Sequence, residues 1–308
     1  LQLLRRPRTL DELSQRFSLK HVVIEFIIER LIREGYNIMC LGNEYLLERK
    51  AVSMGANFYA EKWNGAETIT KGIVSDTHFG NKCQQRSALK HFYSLLEERQ
   101  VEETIHGGDV LDGLYRDRAE HIYETFLHGA DEQIGYAVEV YPRFTLKNGK
   151  PHKTRFIDGN HDFTHTRNSG IRTGRIIAAA RPDMEYLGYG KARIMFTPNC
   201  PVDIVHPLDG KAYALSYRLQ KNIDVMQGGT KPKILLCGHY HSFCYIIYRN
   251  IHAFMLPAFM AQNLWASLKS MLVQVGGMIL TTKVSKDGDV LSILPEVVPY
   301  YVMQENDY

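Results

Sequence analysis

The chain has 308 residues, 44% of them hydrophobic and 23% charged, with 37 Lys and Arg against 34 Asp and Glu. Such values belong to globular chains long enough for two domains, and they exclude disorder, fibrous repeats and low complexity. A net charge of +3 is too slight to name a partner, although a pI near 8.5 is compatible with polyanionic substrates.

In chain order, Thr9 to Leu13 carries an N-cap at Thr9 with Glu12 three residues on, followed by apolar Leu10, Leu13 and Phe17, which predicts a short capped helix interrupted at Ser18. From Leu19 a second helix is expected to gather Val22, Val23, Phe26, Ile27 and Leu31 on one broad face and to stop at Gly35. Lys20, His21, Glu25 and Glu29 fall on its outer side. Tyr36 to Met39 and Tyr45 to Leu47 flank Gly42-Asn43-Glu44 and read as a small hairpin. The polar, glycine-dotted residues 51–67 read as a linker between a domain over 1–50 and a domain over 68–308.

From Thr68 strands alternate with helices. Strands are expected at Thr70–Ser75, Thr104–His106, Thr154–Ile157, Val202–Val205 and Lys233–Cys237, and helices at Arg86–Arg99, Arg118–Val138 and Tyr213–Met226. A hairpin joins Met278–Val284 to Val290–Ile293 through Asp287-Gly288. The alternation implies stacked sheets covered by helices, an α/β (α+β) arrangement. Cys40, Cys83, Cys200, Cys237 and Cys244 are scattered without C-x-x-C spacing, so neither a disulfide framework nor a thiolate zinc site is expected, and the default compartment is reducing and cytoplasmic. The most apolar stretch, Ile251 to Ala261, is too short and interrupted to span a bilayer, so no membrane association is expected. The chain opens at Leu1 without a methionine, which leaves a targeting segment upstream open.

Five polar motifs sit behind the strands: Asp76-Thr77-His78, Gly108-Asp109-Val110-Leu111-Asp112, Gly159-Asn160-His161-Asp162, His206, and Gly238-His239-Tyr240-His241. Open α/β sheets place ligand sites at the carboxyl ends of their strands, and glycines let carboxylate and imidazole groups turn into one cavity. Two aspartates, an asparagine and several histidines suit a pair of divalent metals, which need a bridging carboxylate and several N or O ligands. Mixed imidazole and carboxylate donors favour Mn, Fe, Zn or Ni over Mg or Ca. His106, His121, His128, His152 and His252 lack such context and read as ordinary core or surface residues.

This order of motifs resembles the calcineurin-like metallophosphoesterase superfamily (D-x-H, G-D-x-x-D, G-N-H-D, H, G-H-x-H) over about residues 68–300. The resemblance implies a four-layer αββα sandwich with two divalent metal ions, Mn2+ in the first place. It implies that Asp76, His78 and His241 hold one ion, that Asn160, His206 and His239 hold the other, and that Asp109 bridges them. His161 would be the general acid in attack by a metal-activated water, with Asp112 holding it protonated. The first fifty residues resemble a winged helix-turn-helix domain whose first helix is cut at Leu1, read equally as a DNA-binding module or as one for a protein partner or self-association.

Protein serine/threonine phosphatases of the superfamily carry an arginine where this chain has Gly113. The site therefore looks more like the branch of phosphodiesterases and SbcD-type DNA repair nucleases, although those nucleases commonly have histidine at the position of Asp112. The cationic run from His165 to Arg175 offers Arg167 and Arg172 for substrate phosphates, and Tyr115 to Arg118 is a second candidate lining. The expectation is a phosphodiester hydrolase acting on DNA as a nuclease. The alternatives are a phosphodiesterase or phosphatase for nucleotides or other small phosphoesters, and a non-enzymatic winged-helix regulator.

Overall fold

In a computed structural model, which describes residues 3–5, 7–33, 38–41, 43–47, 57–60, 63–226 and 231–308, the β-like runs of the sequence become two six-stranded sheets packed face to face. Gly35, Gly42, Tyr36, Asn37 and residues 51–56 and 61–62 of the expected linker lie outside the described residues, while Asn57–Ala60 within it is not linker but a strand paired with Ala192–Met195. The chain divides into two compact units, Leu1–Met54 and a larger one over Gly55–Met226 and Lys231–Tyr308.

The small unit holds β1 (Arg8–Thr9), α1 (Leu10–Phe17), α2 (His21–Arg33), β2 (Ile38–Leu41) and β3 (Glu44–Leu47), with the strands in the order β1-β3-β2. Thr9 closes a capping box with Glu12, and Ser18, at φ 56°, ends α1 in the left-handed conformation. The expected buried face of α2 is not the one used. Ile24 and Ile28 pack with Leu4, Leu13 and Ile38, while Val22 and Phe26 are 69% and 60% exposed. Helix α2 is apolar on several sides, so periodicity alone did not single out the stripe that packs.

The large unit runs β4 (Asn57–Ala60), β5 (Thr68–Val74), α3 (Arg86–Glu98), β6 (Glu103–His106), α4 (Ala119–Glu124), α5 (Ala130–Val140), β7 (Lys153–Asp158), α6 (Asp162–Ser169), α7 (Thr173–Ala180), β8 (Met184–Tyr189), β9 (Lys191–Thr197) and β10 (Cys200–Val205). It continues through α8 (Leu215–Asp224), β11 (Ile234–Cys237), β12 (Cys244–Tyr248), β13 (Ile251–Met255), α9 (Leu264–Leu268), β14 (Val275–Val284) and β15 (Val290–Tyr300). The sheets have the orders β15-β14-β5-β6-β7-β8 and β12-β13-β11-β10-β9-β4, and the β5–β8 and β10-β11-β13 runs are parallel.

Three apolar clusters define the layers. Ile73, Ile105 and Ile157 meet Ile194, Val202, Ile204 and Phe254 between the sheets. Leu89, Phe92, Leu96, Ile134 and Ile177 cover the outer face of the first sheet from α3, α5 and α7, and Leu219 and Ile223 of α8 cover the second. The result is the four-layer αββα sandwich expected from the sequence. Pro295 and Pro299 sit on β15, an edge strand, where a missing backbone donor breaks no ladder. Among the described residues no helix is long and apolar enough to cross a membrane.

The expected helix over Arg118–Val138 is instead two, α4 and α5. Thr125 turns inward between them, its Oγ1 donating to Asp112 Oδ2 (2.9 Å), and a site contact thereby overrides helical periodicity.

His152 is a buried core histidine. Its Nδ1 donates to Val101 O (2.8 Å) and its Nε2 accepts from Thr104 Oγ1 (2.9 Å), which requires the neutral ring. Burial pulls its pKa down to about 4, against the opposing bond to Val101. The stability that this group contributes is therefore complete above pH 6.5, the usual histidine value, and is lost as pH falls toward 4, by up to about 3 kcal/mol. Urea denaturation of His152→Gln and wild type should show the stability gap narrowing between pH 7 and pH 4. A gap independent of pH would refute a neutral buried ring.

Candidate metal centre

The five polar motifs follow β5, β6, β7, β10 and β11 and converge at one edge of the sandwich. The backbone is strained where they do so. Asp76 (φ 52°), His78 (46°), Asp109 (55°), His239 (79°) and His241 (50°) all occupy the left-handed region, which costs a non-glycine residue about 1–2 kcal/mol each. Hydrogen bonds between neighbouring loops hold them there: Asp76 N to Gly108 O (3.0 Å), His78 N to Asp109 O (3.1 Å) and His239 N to Asp76 Oδ2 (3.0 Å). Gly108, at φ +102°, is obligatory, because a Cβ there would lie 2.4 Å from His206 Nδ1.

Two groups of donors result. In one, Asp76 Oδ1 lies 3.1 Å from His241 Nε2, which is 3.2 Å from His78 Nε2. In the other, Asp109, His206 and His239 cluster, with Asp109 Oδ2 3.0 Å from His206 Nε2 and Asn160 Oδ1 3.1 Å from the same atom. Asp109 also lies 3.9 Å from His78 Nε2, so its carboxylate stands between the groups.

The rings are oriented from behind. His78 Nδ1 donates to Asp112 Oδ1 (3.0 Å), His206 Nδ1 to Gly107 O (2.8 Å) and His239 Nε2 to Asp209 O (2.8 Å), so each keeps its other nitrogen as a lone-pair donor. Asn160 Nδ2 donates to Tyr115 Oη (2.8 Å), which turns its Oδ1 toward His206.

Asp112 does more than hold His161. The His161 Nδ1 proton goes to the Asp112 backbone carbonyl (2.6 Å), and the Asp112 carboxylate is 3.6 Å away. That carboxylate instead accepts from His78, from Asn81 Nδ2 (3.0 Å) and from Thr125, and lies 3.1 Å from His121 Nε2. His121, read from the sequence as an ordinary residue, is thus part of the site. It comes from α4 with no motif around it, and Asn81 and Thr125 are equally silent in the sequence. His106 is buried in the core, as expected, with its Nε2 3.2 Å from Thr77 Oγ1.

Burial raises the pKa of Asp109, but His206 and His161 outweigh it and hold the carboxyl well below its usual range. Burial likewise opposes ionisation of Asp112, and the surrounding imidazoles of His121, His161 and His78 prevail, holding its carboxyl well below the usual range. Burial lowers the His161 pKa, yet Asp109 and Asp112 lift it to about 9. Burial, then Asp158 and Asp109, push Asp162 well above the carboxylate range, although it accepts backbone N–H bonds from Gly159 (2.8 Å) and Leu111 (2.8 Å).

A cavity of about 540 Å³ opens over the site. Arg118, Lys211 and Lys269 line it, and among the described residues none of the three forms an ion pair. Arg167 and Arg172 do not line it. Arg167 stands over the Tyr115 ring (5.7 Å), and Arg172 occupies the N-cap position of α7 without a side-chain capping bond. The buried bond of His165 to Gln133 Oε1 (3.0 Å) fixes α6 against α5, and the arginine that does line the cavity is Arg118.

Gly113 cannot carry the phosphatase-type arginine. At φ +66° its Cβ would meet His161 O at 2.1 Å and Thr164 Oγ1 at 2.3 Å. Its N–H and C=O are both bonded to the Gln133 side chain (2.9 Å each).

No protein-family model matches this sequence, and no curated protein matches it. Solved structures that resemble it include a novel archaeal phosphodiesterase (13% identity over 75% of this chain and 100% of that one, TM-score 0.42). Others are the phosphoesterase YfcE from E. coli (12%, 73% and 98%, 0.40) and Vps29 from Entamoeba histolytica complexed with Zn2+ (10%, 75% and 99%, 0.35). Likenesses this distant carry no argument about activity, which rests on the geometry above.

Gly113→Ala should cost at least about 2 kcal/mol of stability, through backbone strain and the clash with His161 O, and should lower the urea midpoint. An unchanged midpoint would mean that the loop can adopt another path.

Proposed function

We propose that the protein is a dinuclear metal-dependent phosphoesterase that hydrolyses phosphodiester bonds. The observation that carries this reading is the pair of donor groups sharing Asp109 under a cleft lined by Arg118, Lys211 and Lys269, which form no ion pair among the described residues. The donor set fits divalent ions. Asp76 and Asp109 are buried among imidazoles with no Lys or Arg partner among the described residues, and buried carboxylates need a compensating cation. Asp76, His78 and His241 would hold one ion and Asn160, His206 and His239 the other, with Asp109 between. Mixed N and O donors suit Mn, Fe, Zn or Ni, and Mn2+ is the ion that the family resemblance implies. Such ions supply a water of lowered pKa and neutralise charge at both oxygens of an in-line displacement.

The chain's own residues do the rest. His161, held by Nδ1 at the Asp112 carbonyl, keeps Nε2 free for the leaving oxygen and serves as general acid. Asp112 positions His78 and His121. Arg118 and Lys211 draw the phosphoester into the cleft.

Of the substrates considered, a small phosphodiester is favoured over duplex DNA. The cavity falls within the roughly 300–1,000 Å³ of small-ligand pockets, a size that suits a single phosphoester and its substituents. The small unit, read as a winged helix, gives the DNA reading little support, since α2 exposes Glu25 and Glu29 among apolar residues and would meet phosphates unfavourably.

With Mn2+ supplied, the wild type should hydrolyse bis-p-nitrophenyl phosphate faster than it nicks linear or circular DNA. Asp109→Asn should lose both bound metal and activity. His161→Gln should keep its metal and lose about 10²–10⁴-fold in turnover, the usual contribution of a general acid. Elemental analysis of both variants checks this division, and a metal-free His161→Gln protein would overturn it.

A further inference from the structure

One part of the cleft lining comes from α4 and α9, which no motif covers. Glu124, at the end of α4, joins them: Oε2 accepts from Asn263 Nδ2 (2.7 Å), and Oε1 lies 3.3 Å from Trp265 N. Asn263 in turn caps α9 by accepting from Ala266 N (2.9 Å), so the position of Trp265 is fixed by two side chains. Trp265 lines the cavity and is 38% exposed. Between it and Tyr115 stands Arg118, its guanidinium 4.2 Å from the Tyr115 ring centroid and 5.8 Å from that of Trp265. The Tyr115 hydroxyl is the one that holds Asn160. An aromatic face, an unpaired guanidinium and the donor cluster therefore follow one another across a single small cavity.

Resting on the phosphoesterase reading, we propose that this wall recognises a nucleoside phosphoester, with the base stacked on Trp265 and Arg118 engaging the phosphate beside the donor cluster. Every base presents a π-face to an indole, and a guanidinium held by aromatic rings is presented in a fixed plane suited to two phosphate oxygens. The cavity has room for a nucleotide or dinucleotide. Glycerol or other aliphatic diesters would use Arg118 but leave Trp265 without a partner.

The chain has two tryptophans, and Trp63 lies outside this cavity, so Trp63→Phe leaves Trp265 as the sole indole reporter. Titrating the Mn2+-loaded Trp63→Phe protein with AMP should quench its fluorescence saturably at concentrations where glycerol phosphate has no effect. In kcat/KM, a dinucleoside monophosphate should exceed bis-glycerol phosphate at least tenfold. Trp265→Leu should lower the dinucleotide value ten- to a hundredfold, the scale of one base–aromatic stack, and at least ten times more than the aliphatic value. Trp265→Phe, which keeps a ring and serves as the folding control, should retain most of the preference. Absence of AMP-specific quenching, or equal losses on both substrates in Trp265→Leu, would overturn the nucleotide assignment and leave the hydrolase reading intact. Quenching by AMP without turnover of any phosphoester would overturn the hydrolase and leave the recognition site standing.

Discussion

Carboxylates buried away from water stay ionised only when donors and positive charge surround them, and the edge of this sandwich crowds Asp76, Asp109 and Asp112 into one such place. Much of the local architecture follows from that constraint. Strand ends bring in imidazoles, which supply partial compensation. Asn81 and Thr125 are drawn inward to Asp112, and Thr125 does so at the cost of the helix that the sequence pattern would have continued. Asp158 and Asp162 lie just behind. Burial, against the bond from Tyr186, carries the Asp158 pKa up to about 7, so the second rank of carboxylates shares in the same crowding.

The backbone strain belongs to the same account. Five of the non-glycine residues with positive φ are Asp76, His78, Asp109, His239 and His241, all of them donors in the cluster. Extended strands point successive side chains to opposite faces, so D-x-H and H-x-H spacings leaving a strand would ordinarily place both donors on one face but along the strand rather than toward a common point. Left-handed residues break that geometry and let pairs two apart converge. The loops are then fixed to each other by backbone bonds, as from Asp76 to Gly108 and from His78 to Asp109, rather than by helix or sheet ladders. A site assembled this way is rigid before any ligand arrives, which is what a pair of metal ions a few Å apart demands of its ligands.

These features were unequally legible in the sequence. The motif residues were visible because glycine and the chemistry-bearing side chains occur together behind apolar runs; alternation of strands and helices implied stacked sheets covered by helices, and the four-layer αββα order came from the family resemblance. The strands β4, β8, β9 and β13 are not legible in the sequence, since short mixed runs such as Met184–Tyr189 carry little period-two signal. The packing stripe of α2 was misread because apolar residues occupy more of its circumference than one neighbour can cover. His121, Asn81 and Thr125 could not be read, because each joins the site through a contact to Asp112 made across the fold. The choice of Arg118 over Arg167 and Arg172 depends on where α4 and α6 end up, and charge along the chain does not encode that.

The same distinction separates the chemistry of the site from its selectivity. The donor cluster rests on short motifs at strand ends, whose geometry is set by the sheets and tolerates little change. The part of the lining that carries Trp265 rests on α9, a short helix held by Glu124 and Asn263. Substitutions on α9 can reshape the cavity without touching Asp109, whereas α4 also carries His121, which reaches Asp112. Gly113 marks the border between the two: its positive φ and contact with His161 exclude a side chain at the place where a phosphate-gripping arginine could otherwise sit. Arg118, five residues on and over the Tyr115 ring, is the guanidinium that lines the cavity. On the proposed reading, that places the cation beside Trp265, where the protein would meet more of a substrate than its phosphate.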